Sequence, residues 1–79
     1  MDNLELRLVR CFSLVFTELD EKNIRDADVE GVEEWDSMAM VTLINVVEEE
    51  FGIRIEPDDV EDIDSFRRFL TYLGPKVNT

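Results

Sequence analysis

The segment 37–51 carries the clearest helical pattern in the sequence, and it restricts the fold more than any other stretch. Its apolar residues recur at intervals of three and four, which places them on one face of a helix. Asp36 is a favourable N-cap for this helix, and Gly52 suits the left-handed conformation in which many helices end. The buried face is predicted to consist of Met40, Leu43, Ile44, Val47 and Phe51.

The chain before this helix is predicted to contain one long helix and one long loop. In residues 3–19, apolar side chains again recur at helical spacing, and Asp2 followed by Glu5 resembles a capping box with Asp in place of Ser or Thr. Residues 20–36 are polar and hold no long periodic run, so they are predicted as a loop that crosses the molecule.

The chain after it is predicted to contain two more helices and a tail. Pro57 fits the first position of a short helix over 57–62, and Asp64 can cap a last helix over 65–73. Gly and Pro follow that helix and end it. The tail, 74–79, is predicted to fray.

These segments together predict an all-α fold. Residues 1–79 are expected to form one domain, a small four-helix bundle with three longer helices, one short helix and a long loop between the first two. No apolar run approaches the length of a membrane span, and the first residues lack the basic-then-apolar pattern of a signal peptide. We therefore expect a monomeric protein of the cytoplasm.

Charge and composition exclude several kinds of function. The formal net charge is −12, so the chain should be repelled by nucleic-acid phosphates and by anionic membranes. It has no histidine, which excludes a Ser-His-Asp or Cys-His catalytic set and histidine metal sites. Cys11 is the only cysteine, so no internal disulfide can form, and we predict that it packs in the core. Neither an enzyme nor a metal site is expected.

Ser37 opens the best helix, directly after its N-cap. A serine at a helix start is most often structural, since its hydroxyl satisfies a free amide. Here Asp36 already supplies the cap, so Ser37 is not needed for it. The free amides and the positive end of the helix dipole favour a phosphate attached at this point. The chain offers no neighbouring base for Ser37, so a separate enzyme would have to activate it.

The sequence around Ser37 resembles the acyl carrier protein family. The resemblance rests on Trp35-Asp36-Ser37-Met38, then Leu43-Ile44, then Glu48-Glu49-Glu50-Phe51-Gly52-Ile53 with Ile55 and Asp58-Asp59. It covers nearly the whole chain and is tightest from Gly31 to Leu73. The family's attachment motif, Asp-Ser followed by a large apolar residue, corresponds here to Asp36-Ser37-Met38.

The resemblance implies a carrier that does no catalysis itself. A phosphopantetheinyl transferase would attach 4′-phosphopantetheine from coenzyme A to Ser37. The thiol of this arm would hold acyl or aminoacyl groups as thioesters. Partners would be loading and processing enzymes of the ketosynthase, acyltransferase or ligase type, in fatty acid, polyketide, peptide or lipid-modifying biosynthesis.

The resemblance also implies a docking surface and an acyl pocket. In this family, partner enzymes use basic patches of their own to dock on the helix that begins at the serine. The exposed face of that helix is therefore the candidate surface: Met38, Val41, Thr42, Asn45, Glu48 and Glu49. A short acyl chain can tuck between the helices in this family. The candidate wall residues, for which ordinary core packing is the alternative role, are Leu43, Val47, Phe51, Ile55 and Val60.

Two positions depart from the pattern of carriers in fatty-acid synthesis. Those carriers often have acids early in this helix, where this chain has Ala39 and Thr42. A tryptophan before the motif, here Trp35, resembles the sequence of carriers of specialised pathways. We therefore expect a stand-alone carrier of that kind. The Trp35 side chain is predicted to lie in a loop, partly packed against the bundle.

Two alternative functions come from other classes. Residues 26–37 partly match an EF-hand calcium loop, with Asp26, Asp28 and Glu30 at ligand positions and a turn glycine after them. The match fails at position 12, where Ser37 stands in place of the bidentate glutamate. The second alternative is an acidic protein-interaction domain that carries no cofactor, against which the intact attachment motif argues.

Overall fold

Residues 3–77, the part of the chain that the computed structural model describes, form five helices. Four are α-helices and the fourth in chain order is a 3-10 helix, η1. Their bounds are α1 Asn3–Val15, α2 Glu21–Arg25, α3 Ser37–Phe51, η1 Pro57–Asp62 and α4 Phe66–Leu73. No strand forms within these residues, so the prediction of an all-α fold is confirmed.

The helix α3 has the predicted bounds because the residues that directly flank it, Asp36 and Gly52, cap its two ends. The Asp36 carboxylate accepts a hydrogen bond from the N–H of Ala39 at 2.9 Å. Gly52 has a φ of 65°, in the left-handed region, and its N–H donates to the carbonyl of Glu48. A residue with a Cβ would be strained at that φ, which is why glycine ends the helix.

The first part of the chain differs from the prediction in two ways. Helix α1 ends at Val15 rather than at residue 19. A turn over the next residues brings Leu19 against the core, so the apolar pattern extends beyond the end of the helix. The segment predicted as a loop contains α2, capped by the Asp20 carboxylate at Asn23 N–H. Five residues are too few to show periodicity. Asp2 of the predicted capping box lies outside the described residues.

The last helix begins one residue later than predicted. Ser65, not Asp64, is its N-cap, since the Ser65 hydroxyl accepts from the N–H of Arg68 at 3.1 Å. Asp64 instead pairs with the guanidinium of Arg68 at 3.5 Å. Part of the predicted frayed tail forms a turn, in which the N–H groups of Lys76 and Val77 both donate to the carbonyl of Leu73. The final two residues are outside the described range.

An aromatic cluster fills the centre of the molecule. Phe12, which is fully buried, lies within 6.0 Å, centroid to centroid, of four other rings: Phe16, Trp35, Phe66 and Phe69. Trp35 lies in the loop before α3, as predicted, but it is 4% exposed and its side chain is part of the core, which corrects the prediction of partial packing. Cys11 is buried, as predicted.

Two long-range connections hold the helices in place. At one end of α3, the guanidinium of Arg7 donates to the Glu50 carboxylate and to the Glu50 carbonyl, and it lies 4.5 Å from the centroid of the Phe51 ring. At the other end, an antiparallel bridge joins Asp28 to Ser65 and ties the segment after α2 to the start of α4. Among residues 3–77, no helix is long and apolar enough to cross a membrane.

Candidate functional site

Ser37 is exposed and occupies the first position of α3. The capping bond to Ala39 belongs to Asp36, and the carbonyl of Asp36 accepts from the N–H of Met40. The first-turn amides of Ser37 and Met38 precede these two bonded amides. Ser37 therefore lies at the positive end of a helix of 15 residues.

An open groove of about 350 Å³ adjoins Ser37. Its apolar lining comes from three parts of the chain: the segment after α2, the start of α3, and η1. Its acidic lining comes from Asp36, Glu61 and Asp64. The complete lining is Val29, Trp35, Asp36, Ser37, Met40, Val60, Glu61 and Asp64. The site is thus an open groove lined by both apolar and acidic side chains, next to the exposed Ser37.

The groove brings together residues that are distant in sequence, and most of them were not predicted as site residues. The N–H of Val29 donates to the carbonyl of Asp64 at 3.0 Å, and the N–H of Phe66 donates to the carbonyl of Ala27 at 3.0 Å. These two bonds hold the segment that contains Val29 next to the segment that contains Asp64, and both segments line the groove. The isolated bridge has no periodic signature, so nothing local in the sequence could have revealed it.

The five residues predicted to form an acyl pocket lie mostly in the core. Leu43 and Val47 are fully buried and Ile55 is 5% exposed, whereas Phe51 and Val60 are half-buried. Of the five, Val60 lines the groove beside Ser37. A role for any of the five in holding an acyl chain stays a prediction.

The residues predicted as a docking surface fall into two groups. Met38 is 81% exposed and Val41 is 59% exposed, and Thr42, Asn45 and Glu49 are exposed beside them. Glu48 is only half-buried, and its carboxylate accepts a hydrogen bond from the N–H of Ile55 at 2.7 Å. Glu48 therefore holds the chain that leaves α3, which is a structural role that the sequence did not indicate.

The two adjacent glutamates give a matched test of this difference. We expect Glu48→Ala to lower the free energy of unfolding by about 1–2 kcal/mol, because the Ile55 N–H loses its partner in a partly buried position. Glu49→Ala, at an exposed site on the same helix, should change it by less than about 0.5 kcal/mol. Urea unfolding followed by circular dichroism measures both values. Equal losses in the two variants would contradict the assigned role of Glu48.

The segment predicted as an alternative calcium loop uses its acids in other ways. Asp26 is the C-cap of α2, and the Asp28 carboxylate accepts from the N–H of Gly31 at 2.6 Å, which closes a turn. Asp28 also forms the backbone bridge to Ser65. Over residues 3–77, no three His, Cys, Asp or Glu side chains are grouped so that they could hold a metal ion.

Cys11 is a second nucleophilic side chain, and it lies in the core. Burial and, to a lesser extent, the nearby negative charge of Glu50 raise the pKa of its thiol to about 11. Because the thiolate is the reactive form, Cys11 is unreactive near neutral pH. The accessible nucleophile beside the groove is therefore the hydroxyl of Ser37.

Two of three comparisons with known proteins found similar proteins. A family model described as the phosphopantetheine attachment site matches residues 15–73. Acyl carrier protein 2 of Pseudomonas aeruginosa is 34% identical over 80 residues, which cover 100% of both chains. The acyl carrier protein of Buchnera aphidicola subsp. Schizaphis graminum is 29% identical over 76 residues, or 96% of each chain. No solved structure matches the chain significantly.

Proposed function

The chain belongs to the acyl carrier protein family, and on this premise we propose that Ser37 is the residue that carries its 4′-phosphopantetheine arm. The family is one of carriers rather than catalysts. Its members hold acyl groups as thioesters on the thiol that ends the covalent arm. The observation that carries the assignment to Ser37 is an exposed hydroxyl at the first position of α3, with the cap supplied by another residue.

The residues around Ser37 suit the chemistry of this arm. A phosphodiester on the hydroxyl would lie beside the first-turn amides of α3, where an anion is stabilised. The groove begins at the same residue and offers apolar contact to whatever the arm holds. Asp36 shapes the turn, because its carboxylate fixes the N–H of Ala39.

Partner enzymes are proposed to dock on the exposed face of α3. A transferase must reach Ser37, and acyl-processing enzymes must reach the thiol of the arm. Met38 and Val41 provide apolar contact area, with Thr42, Asn45 and Glu49 around them. Glu48 contributes negative charge to this face, although its carboxylate accepts a hydrogen bond from the N–H of Ile55.

We propose that the protein is a monomeric carrier of a specialised pathway. Its action in the cytoplasm stays a prediction.

The test of the function is the intact mass of the protein after incubation with coenzyme A, magnesium and a broad-specificity phosphopantetheinyl transferase. We expect a gain of one phosphopantetheinyl group, accompanied by one new thiol that reacts with a maleimide at neutral pH. The native protein without the arm should react slowly, because Cys11 is buried and its thiol pKa is raised. Denaturant should expose Cys11 and restore fast reaction.

Two results together would contradict the carrier assignment. The first is no mass gain with the broad-specificity enzyme. The second is an unmodified mass for the protein isolated from its native host, which removes a selective transferase as the explanation. A reactive thiol in the native protein before the arm is attached would separately contradict the placement of Cys11 in the core.

Electrostatic docking of the transferase on this protein predicts that its KM depends on the salt concentration. We expect the KM of the transferase for this protein to rise by about tenfold as salt increases from about 0.01 M to about 0.5 M, because ions screen attraction to a basic partner surface. Glu49→Gln should flatten this dependence, whereas Glu18→Gln, an exposed acid outside α3, should leave it unchanged. Steady-state kinetics at several ionic strengths measure the slope, and a KM independent of salt would contradict electrostatic docking.

A further inference from the structure

Trp35 lies between the groove and the aromatic core. It belongs to the groove lining, yet it is only 4% exposed. On its other side, the centroid of its ring system lies 5.4 Å from that of Phe12, 5.5 Å from that of Phe16 and 6.3 Å from that of Phe69. The indole therefore separates the space next to Ser37 from the other rings of the aromatic cluster.

The orientation of the indole is fixed on the groove side as well. Its N–H donates to the sulfur of Met40 at 3.2 Å, and Met40 is itself part of the groove lining. Packing on one side and this contact on the other restrict the side chain to one position. An acyl chain that entered the bundle on the Trp35 side of the groove would have to displace the indole from the aromatic cluster.

Displacement of Trp35 is unfavourable because the interior behind it is filled. Leu43, Val47 and Phe69 have no exposed surface, and Phe66 is 1% exposed. A chain of a few methylenes gains less by burial than a tryptophan loses by leaving the core. A short cargo is therefore more stable in the open groove than in the bundle.

We propose that Trp35 is a specificity-determining residue that keeps the cargo out of the helix interior. This inference rests on the proposed function, since the cargo is the group held on the arm at Ser37. A cargo confined to an open groove stays accessible to water along its length, so a longer acyl chain gains no extra shielding. The groove, with Glu61 and Asp64 in its lining, suits short cargo better than long alkyl chains.

The experiment compares hydrolysis of two thioesters on the arm-bearing protein, butyryl and octanoyl. In hydrolysis, water adds to the thioester carbonyl, the carbon–sulfur bond breaks, and a carboxylate and the free thiol of the arm are released. A chain held inside the bundle would be shielded from water and would hydrolyse more slowly. For the native sequence we expect the two rate constants to agree within about twofold, which is a small difference in barrier.

Removal of the indole should open the interior. In Trp35→Ala we expect octanoyl hydrolysis to become slower than butyryl hydrolysis by about tenfold, because the cavity admits the longer chain. Trp35→Leu gives a smaller cavity and serves if the alanine variant does not fold. Phe69→Leu is the matched control, since it opens space in the same cluster but does not line the groove; its ratio should stay near that of the native sequence.

These readouts separate the inference from both simple destabilisation and the carrier assignment. General loosening would expose thioesters and speed hydrolysis, whereas the expected change is slower hydrolysis of one cargo. Octanoyl protection in the native sequence would overturn the inference and support the sequence-predicted pocket around Leu43 and Val47. Equal rates in a folded Trp35 variant would overturn the role of Trp35. Failure to attach any arm would instead count against the proposed function.

Discussion

In a Ser37→Ala variant we expect complete loss of phosphopantetheine attachment with no loss of stability. The reaction needs the Ser37 oxygen, and no other group near the start of α3 can replace it. The cap of the helix is provided by Asp36, so the hydroxyl is not needed for folding. The free energy of unfolding should therefore change by less than about 0.5 kcal/mol, as is usual at an exposed position.

The other two serines of the chain are the matched controls. Ser13 is exposed on α1, where its hydroxyl donates to the carbonyl of Arg10. Ser65 caps α4, so Ser65→Ala should cost about 1 kcal/mol of stability. Both alanine variants should still gain one arm by intact mass. Modification of Ser37→Ala, or loss of modification in Ser13→Ala, would show that the arm is attached elsewhere.

The Phe12→Ala variant should show the largest loss of stability. Phe12 is fully buried and its ring contacts the four other rings of the aromatic cluster. Removal of a buried phenylalanine costs about 3–5 kcal/mol, through lost burial and the remaining cavity. A chain of 79 residues has a total stability of about 4–12 kcal/mol, so the variant should lose at least about a quarter of it and would unfold at the low end of that range.

Urea unfolding followed by far-ultraviolet circular dichroism measures this loss. Leu14→Ala is the control on the same helix, because Leu14 is 71% exposed. It should unfold at nearly the same urea concentration as the native sequence. A Phe12→Ala variant that unfolds with the control would contradict the central position of the aromatic cluster.

The elements that the sequence predicted well are those with local causes. The bounds of α3 follow from Asp36, Gly52 and a helical apolar pattern, which are all contained in one stretch of chain. The short helix over 57–62 follows from Pro57 in the same way. Ser37 could be identified as a site residue because its motif is contiguous. In each case a few neighbouring residues decide the conformation.

The features that the sequence did not predict depend on contacts between distant residues. Trp35 enters the core because Phe12, Phe16 and Phe69 surround the place where the chain turns into α3. The groove exists because a backbone bridge brings the chain after α2 to the start of α4. The resemblance to the family predicts Glu48 as a docking residue only, since nothing in the local sequence indicates its bond to Ile55, seven residues further along the chain.

The position of Trp35 also gives the protein a built-in optical probe. It is the only tryptophan of the chain, so its fluorescence originates from a single place, two residues from Ser37. Indole emission shifts to longer wavelength as its surroundings become more polar. The buried ring should therefore emit at short wavelength in the folded protein and shift on unfolding. Changes in the neighbouring groove can be followed by the same signal, with no dye attached.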